Sequence, residues 1–155
     1  MESSNQLAVR LKDVLIDGHW IANTNYTDLL SDLTLEEAKK TIGPHNSIAL
    51  LTYHVNYYLS GLIHAFNTGQ LEIRDKYSFD IPHLTSEADW QQLKGDFIKN
   101  ATLFVKAVKE MDSTKLDGPF IEEKYGSFRR NIEGVIEHSY YHMGQIAMLK
   151  KILRH

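Results

Sequence analysis

The chain has 155 residues, 43% of them hydrophobic and 24% charged, and a formal net charge of −3. That length suffices to bury a core without covalent staples, and the absence of cysteine excludes disulfides, Cys-ligated zinc and thiol nucleophiles. Lysines and arginines are scattered apart from pairs such as Arg129-Arg130 and Lys150-Lys151, which argues against a nucleic-acid partner.

The first helical region is predicted to start near Gln6 and run to about Leu33. Leu7, Leu11, Val14 and Leu15 form one apolar stripe, and Ile21, Leu29, Leu30 and Leu33 form another. Asp17-Gly18 lies between them and is expected to bend or break the helix. Thr34-Leu35-Glu36-Glu37 has the form of a capping box and predicts a short helical turn. A second long helix is predicted from about Asn46 to Asn67, capped by Asn46 or Ser47 and closed by Gly69. Ile48, Leu51, Val55, Leu59, Leu62 and Phe66 share its apolar face. A third opens at the capping box Ser86-Glu87-Ala88-Asp89 and carries Trp90, Leu93, Phe97, Ala101, Phe104, Val108 and Met111 at helical steps. A fourth runs from near Ser127 to the C-terminus, with Phe128, Ile132, Val135, His142, Ile146, Leu149 and Leu153 on one face.

Four long amphipathic helices with no alternating strand pattern predict an all-α fold: a four-helix bundle, up-down-up-down, in one domain over residues 1–155. The connection from Thr68 to Thr85 is long for a helix pair. It carries Arg74, Asp75, Tyr77 and Phe79 and can cover one end of the bundle. The N-terminal residues lack a basic segment followed by an apolar block, and no stretch reaches the roughly 18 apolar residues of a membrane helix. The protein is therefore expected to be soluble and cytoplasmic, with no membrane partner.

Histidine is the residue type that stands out, at 8 in the chain. His138-Ser139-Tyr140-Tyr141-His142 places two imidazoles at i and i+4, on one helical face and close enough to grip one metal ion. Alone this means little, since chance yields roughly 0.4 such pairs in a chain of this composition. Position adds weight: His142 falls within the apolar stripe, His138 borders it, and His54 lies beside the buried face of the second helix. In an up-down-up-down bundle the second and fourth helices run parallel. Counted from their starts, the three histidines then lie at depths agreeing within roughly 10 Å. His64 is rotated about 80° away from His54. His19, His45, His83 and His155 fall near breaks or ends, where solvation is the normal expectation.

The pair lacks the glutamate of a zincin, having Ser139 after His138, and lacks the Glu-x-x-His of di-iron bundles. A carboxylate-free site of His54, His138 and His142 favours zinc, nickel, copper or iron over magnesium or calcium and leaves a coordination position open. Gln145 and Asn131 lie on the His138 side of the helix and can orient a ligand or substrate. Tyr58 and Tyr141 are candidate proton donors, and Arg129 and Arg130 can attract an anion. Each of these has an ordinary packing or solvated alternative.

The segment Ser47-Ile48-Ala49-Leu50-Leu51-Thr52-Tyr53-His54-Val55-Asn56-Tyr57-Tyr58 resembles the DinB/YfiT-like metalloenzyme family. So does Ile136-Glu137-His138-Ser139-Tyr140-Tyr141-His142-Met143-Gly144-Gln145-Ile146, whose His-x-x-x-His-x-Gly-Gln is its most specific element. The resemblance covers nearly the whole chain and is strongest to a branch with Trp20-Ile21-Ala22-Asn23-Thr24-Asn25 and Glu123-Lys124-Tyr125-Gly126. It implies a four-helix bundle of unusual handedness with a metal on His54, His138 and His142. It also implies thiol-dependent transferase or isomerase activity, or metal-dependent hydrolysis, and a homodimer. The expected function is thus a divalent-metal enzyme, with zinc or nickel, acting on a small molecule and using a low-molecular-weight thiol if it is a transferase. The alternatives are a non-catalytic metal- or ligand-binding bundle, and histidines that are only core polar groups.

Overall fold

Side-chain caps set where the helices begin. Ser3, Thr34, Ser86 and Ser127 each accept a backbone N–H from the first turn that follows, and the first three form full capping boxes. In the computed structural model, which describes all 155 residues, the fold is all-helical. Helix α1 (Ser4–Lys12) continues through a π-helical turn to Asp17, and α2 (Tyr26–Ser31) and α3 (Leu35–Lys39) are short. Helices α4 (Ile48–Thr68), α5 (Glu87–Glu110) and α7 (Phe128–Arg154) are long, and α6 (Ser113–Leu116) is a single turn. Gly69 ends α4 in the left-handed region at φ 72°, where a side chain is disfavoured.

The first helical region breaks at Asp17-Gly18, as expected there, and of its second stripe Leu30 and Leu33 are buried whereas Ile21 is 46% exposed. Buried Asn25 explains the break: its amide donates to the Gly18 carbonyl and to Asp28, closing a loop in which Ala22 and Asn23 take positive φ. The other apolar stripes pack inward as patterned, and one core cluster runs from Leu7 to Leu149. Each fully buried Leu or Phe contributes roughly 1.5–3 kcal/mol, so this shared stripe holds the long helices together.

Helix α4 packs against α5 and α7, and α1 packs against the same two. Paired side chains give their directions. Asn100 donates to Asn56 at 2.9 Å and Phe104 stacks on Phe66 at 5.4 Å, so α4 and α5 run parallel. Phe66 meets Phe128 at 5.7 Å while His54 meets His138, so α7 runs opposite to α4. Ser4 donates to the Met111 carbonyl at the far end of α5, and Arg129 reaches the Glu2 carbonyl at the start of α7. The predicted up-down-up-down alternation, with parallel second and fourth long helices, is therefore corrected. Residues 69–86 run back along α4 and start α5 at the same end. Extended, they easily exceed the roughly 30 Å length of α4. No helix is long and apolar enough to cross a membrane.

Candidate metal centre

Helix α4 turns the sequence Leu51-Thr52-Tyr53-His54-Val55 so that His54 faces α7 between buried Leu51 and Val55. On α7, His138 and His142 are one turn apart and face back. Because the helices are antiparallel, the relevant depths are measured from one shared end, where α4 ends at Thr68, α7 begins at Phe128 and Phe66 meets Phe128. His54 is then about 14 residues in, and His138 and His142 about 10 and 14, a tighter agreement than parallel helices would give.

The rings converge. His138 Nε2 lies 3.0 Å from His54 Nε2 and 3.0 Å from His142 Nε2, and the ligand atoms of all three residues lie within 4.8 Å of one another. Two imidazoles sharing one ion at about 2.0–2.1 Å sit roughly 2.9–3.4 Å apart, so both pairs through His138 already have that spacing. Only His54 and His142 have to draw together. His54 and His142 are 6% and 7% exposed, whereas the five histidines outside the cluster are exposed, with His19 on Asp28 and His64 on Glu72.

Outer hydrogen bonds fix the tautomers. His54 Nδ1 lies 3.2 Å from the Ser78 carbonyl, and His142 Nδ1 lies 2.6 Å from Gln145 Oε1. Both oxygens accept, so each Nδ1 carries the proton and each Nε2 presents a lone pair to the centre. His138 Nε2 has one proton at most and can satisfy only one of them. A neutral cluster therefore leaves at least one lone pair without a proton to accept, which is the arrangement a cation satisfies.

Burial, followed by the neighbouring imidazoles, pushes His138 down to about 4. Burial also lowers His54 and His142, partly offset at His54 by the Ser78 carbonyl and at His142 by Gln145. Near neutral pH all three are in the unprotonated form that binds metal.

The connection after α4 closes over this cluster. Phe79 stacks on the His54 ring at 4.0 Å and 8°, and Tyr58 meets the His54 and His138 rings edge-on at 5.2 Å. Tyr58 Oη donates to Asp75 Oδ1 at 2.8 Å. Beside the cluster lies a cavity of about 550 Å³, lined among others by His138, Tyr58, Arg74, Asp75 and Phe120. Its far wall is the 118–127 turn, where the Phe120 N–H donates to the Gly126 carbonyl.

Among the other candidates, Gln145 takes an orienting place, while Asn131 lines the cavity with its amide on the Tyr125 and Ser127 carbonyls. Tyr141 is 66% exposed and touches His142 only edge-on. Arg129 and Arg130 are held by Asp117 and Glu137, which corrects their reading as anion-attracting groups. Sequence reasoning missed Ser78, because a carbonyl acceptor leaves no trace in residue type. Phe79 and Asp75 carried a signal only as unusual residues in an overlong connection. Comparison of the chain with protein-family models, curated proteins and solved structures finds no match.

Proposed function

We propose that this chain is a DinB/YfiT-like four-helix bundle and a divalent-metal-dependent enzyme, with zinc or nickel held by His54, His138 and His142. The observation that carries this reading is the convergence of His54 and His142 Nε2 on His138 Nε2, each at 3.0 Å, with an oxygen beside Nδ1 of both outer rings. A bound ion there supplies Lewis acidity at its open position, enough to activate water or a low-molecular-weight thiol near neutral pH.

The chain's own residues do the rest. Gln145 and the Ser78 carbonyl hold two rings in the ligating orientation, and Phe79 shields one of them from water. The cavity beside His138 receives a small-molecule substrate, and the Tyr58 hydroxyl, bonded to Asp75, holds a proton at its edge. The reaction is hydrolysis or transfer to a thiol.

Metal analysis of tag-free protein should give near one equivalent, and His142→Ala should lose it while circular dichroism stays helical. Unchanged loading in that variant would overturn the site. Turnover with a panel of thiols and electrophiles, with and without chelator, then separates enzyme from binder. Metal binding without any turnover would leave the non-catalytic bundle as the function.

A further inference from the structure

The arginines divide sharply in their use. Of the five in the chain, Arg10 pairs with Glu2, Arg129 with Asp117, Arg130 with Glu137, and Arg154 with Asp32 and Glu37. Arg74 alone makes no ion pair, and its guanidinium donates no hydrogen bond within the chain. It is also the arginine that lines the cavity beside the histidine cluster. Its sequence neighbours are engaged elsewhere: Asp75 accepts the Tyr58 hydroxyl, and Glu72 faces His64 at 3.3 Å.

The base of the Arg74 side chain is fixed even though its tip is free. Tyr57 Oη accepts the Arg74 N–H at 2.9 Å and donates to the Arg74 carbonyl at 3.0 Å, tying this residue to α4 at both backbone groups. A guanidinium stays charged across the working pH range and matches a carboxylate with two parallel hydrogen bonds. Much of the cavity wall is hydrocarbon, from Leu62, Leu71, Ile73, Phe120 and Val135, with Asn131 and Asp75 among its polar groups. Asp75 lines the same space and its negative charge disfavours a second anionic group.

Resting on the reading that this cavity serves the metal centre, we propose that the substrate is a monocarboxylate with a hydrocarbon body. Its carboxylate sits on Arg74, its body lies against Ile73, Phe120 and Val135, and its reactive end faces His138. The cavity of about 550 Å³ falls within the range of small-molecule sites and suits a ligand the size of an arylalkanoate.

Calorimetric titration of 4-phenylbutyrate and its neutral isostere 4-phenylbutanamide, into chelator-treated and into zinc-loaded protein, tests this. The metal-free arm separates Arg74 from direct ligation of the acid to zinc. The acid should bind about tenfold or more tightly than the amide in both states. Arg74→Gln should abolish that preference and Arg74→Lys should keep part of it, both with an unchanged melting temperature because the guanidinium makes no internal bond. Equal binding of acid and amide, binding of neither, or a preference that survives in Arg74→Gln would overturn the proposal. Zinc failing to load while the preference persists would remove the metal reading and leave this one; zinc loading without the preference would do the reverse.

Discussion

At the scale of single residues, the centre depends on where protons sit. The Ser78 carbonyl acts through backbone and is beyond simple mutagenesis, but Gln145 holds the His142 tautomer with one amide oxygen at 2.6 Å. Replacing an outer hydrogen-bond partner of a metal-bound imidazole typically costs 10–100-fold in affinity. Gln145→Leu should therefore weaken zinc binding by about that factor, read by competition with a chromophoric chelator, with helix content retained. Gln145→Glu keeps an acceptor and should retain tight binding. Wild-type affinity in the Leu variant would show that Gln145 does not orient the ring. The same logic explains why His64, close to His54 in sequence, is not a fourth ligand: it points to solvent and faces Glu72.

Between elements, the decisive contact is the return of residues 69–86 along α4. Gly61 permits it. A Cβ at Gly61 would overlap Ile73 Cγ2, which a β-branched side chain can clear only by leaving its χ1 rotamer. It would also come within 3.1 Å of Ile73 Cβ, which cannot move without the backbone of the connection. Ile73 leads directly to Arg74, Asp75, Ser78 and Phe79, so displacement here reaches both the cavity and the histidine cluster. Gly61→Ala should cost about 1–3 kcal/mol, the usual range for overpacking, and should also weaken zinc binding. Adding Ile73→Ala should recover much of the zinc affinity, giving a coupling between the two sites in a double-mutant cycle. Purely additive losses would show that the connection is not seated through this contact.

For the molecule as a whole, the histidine cluster links stability to pH and to metal. His138 is held at about 4 in the fold against 6.5 when unperturbed, and His54 and His142 are lowered in the same direction. Between those values the unfolded chain takes up protons that the metal-free folded cluster does not, so stability must fall as pH drops from about 6.5 toward 4. Aspartates and glutamates held low, such as Asp32, Glu37 and Asp89 at about 2, lose their contribution mainly below that window. Thermal melts of chelated protein from pH 7.5 to 4.5 should show the decline, and His138→Ala should flatten it. Zinc, which requires the unprotonated rings, should raise the melting temperature at pH 7.5 and lose this effect on acidification. A flat acid limb in chelated wild-type protein would contradict the buried, neutral cluster.

Much of this protein was legible in one dimension because helices are local objects. Serine and threonine caps, the Gly69 stop and apolar residues at steps of three and four specify α4, α5 and α7 without reference to anything distant. The same periodicity placed His54, His138 and His142 at the inner faces. Direction was not legible: an apolar stripe packs equally well against a parallel or an antiparallel neighbour, so only the seated core, with Phe66 against both Phe104 and Phe128, decided that α4 runs with α5 and against α7. Glycine marked the break at Asp17-Gly18, but nothing local could show the Asn25-closed loop that follows it, the carbonyl of Ser78 or the unpaired guanidinium of Arg74. Those depend on contacts between segments far apart along the chain, and such contacts exist only once the helices have packed.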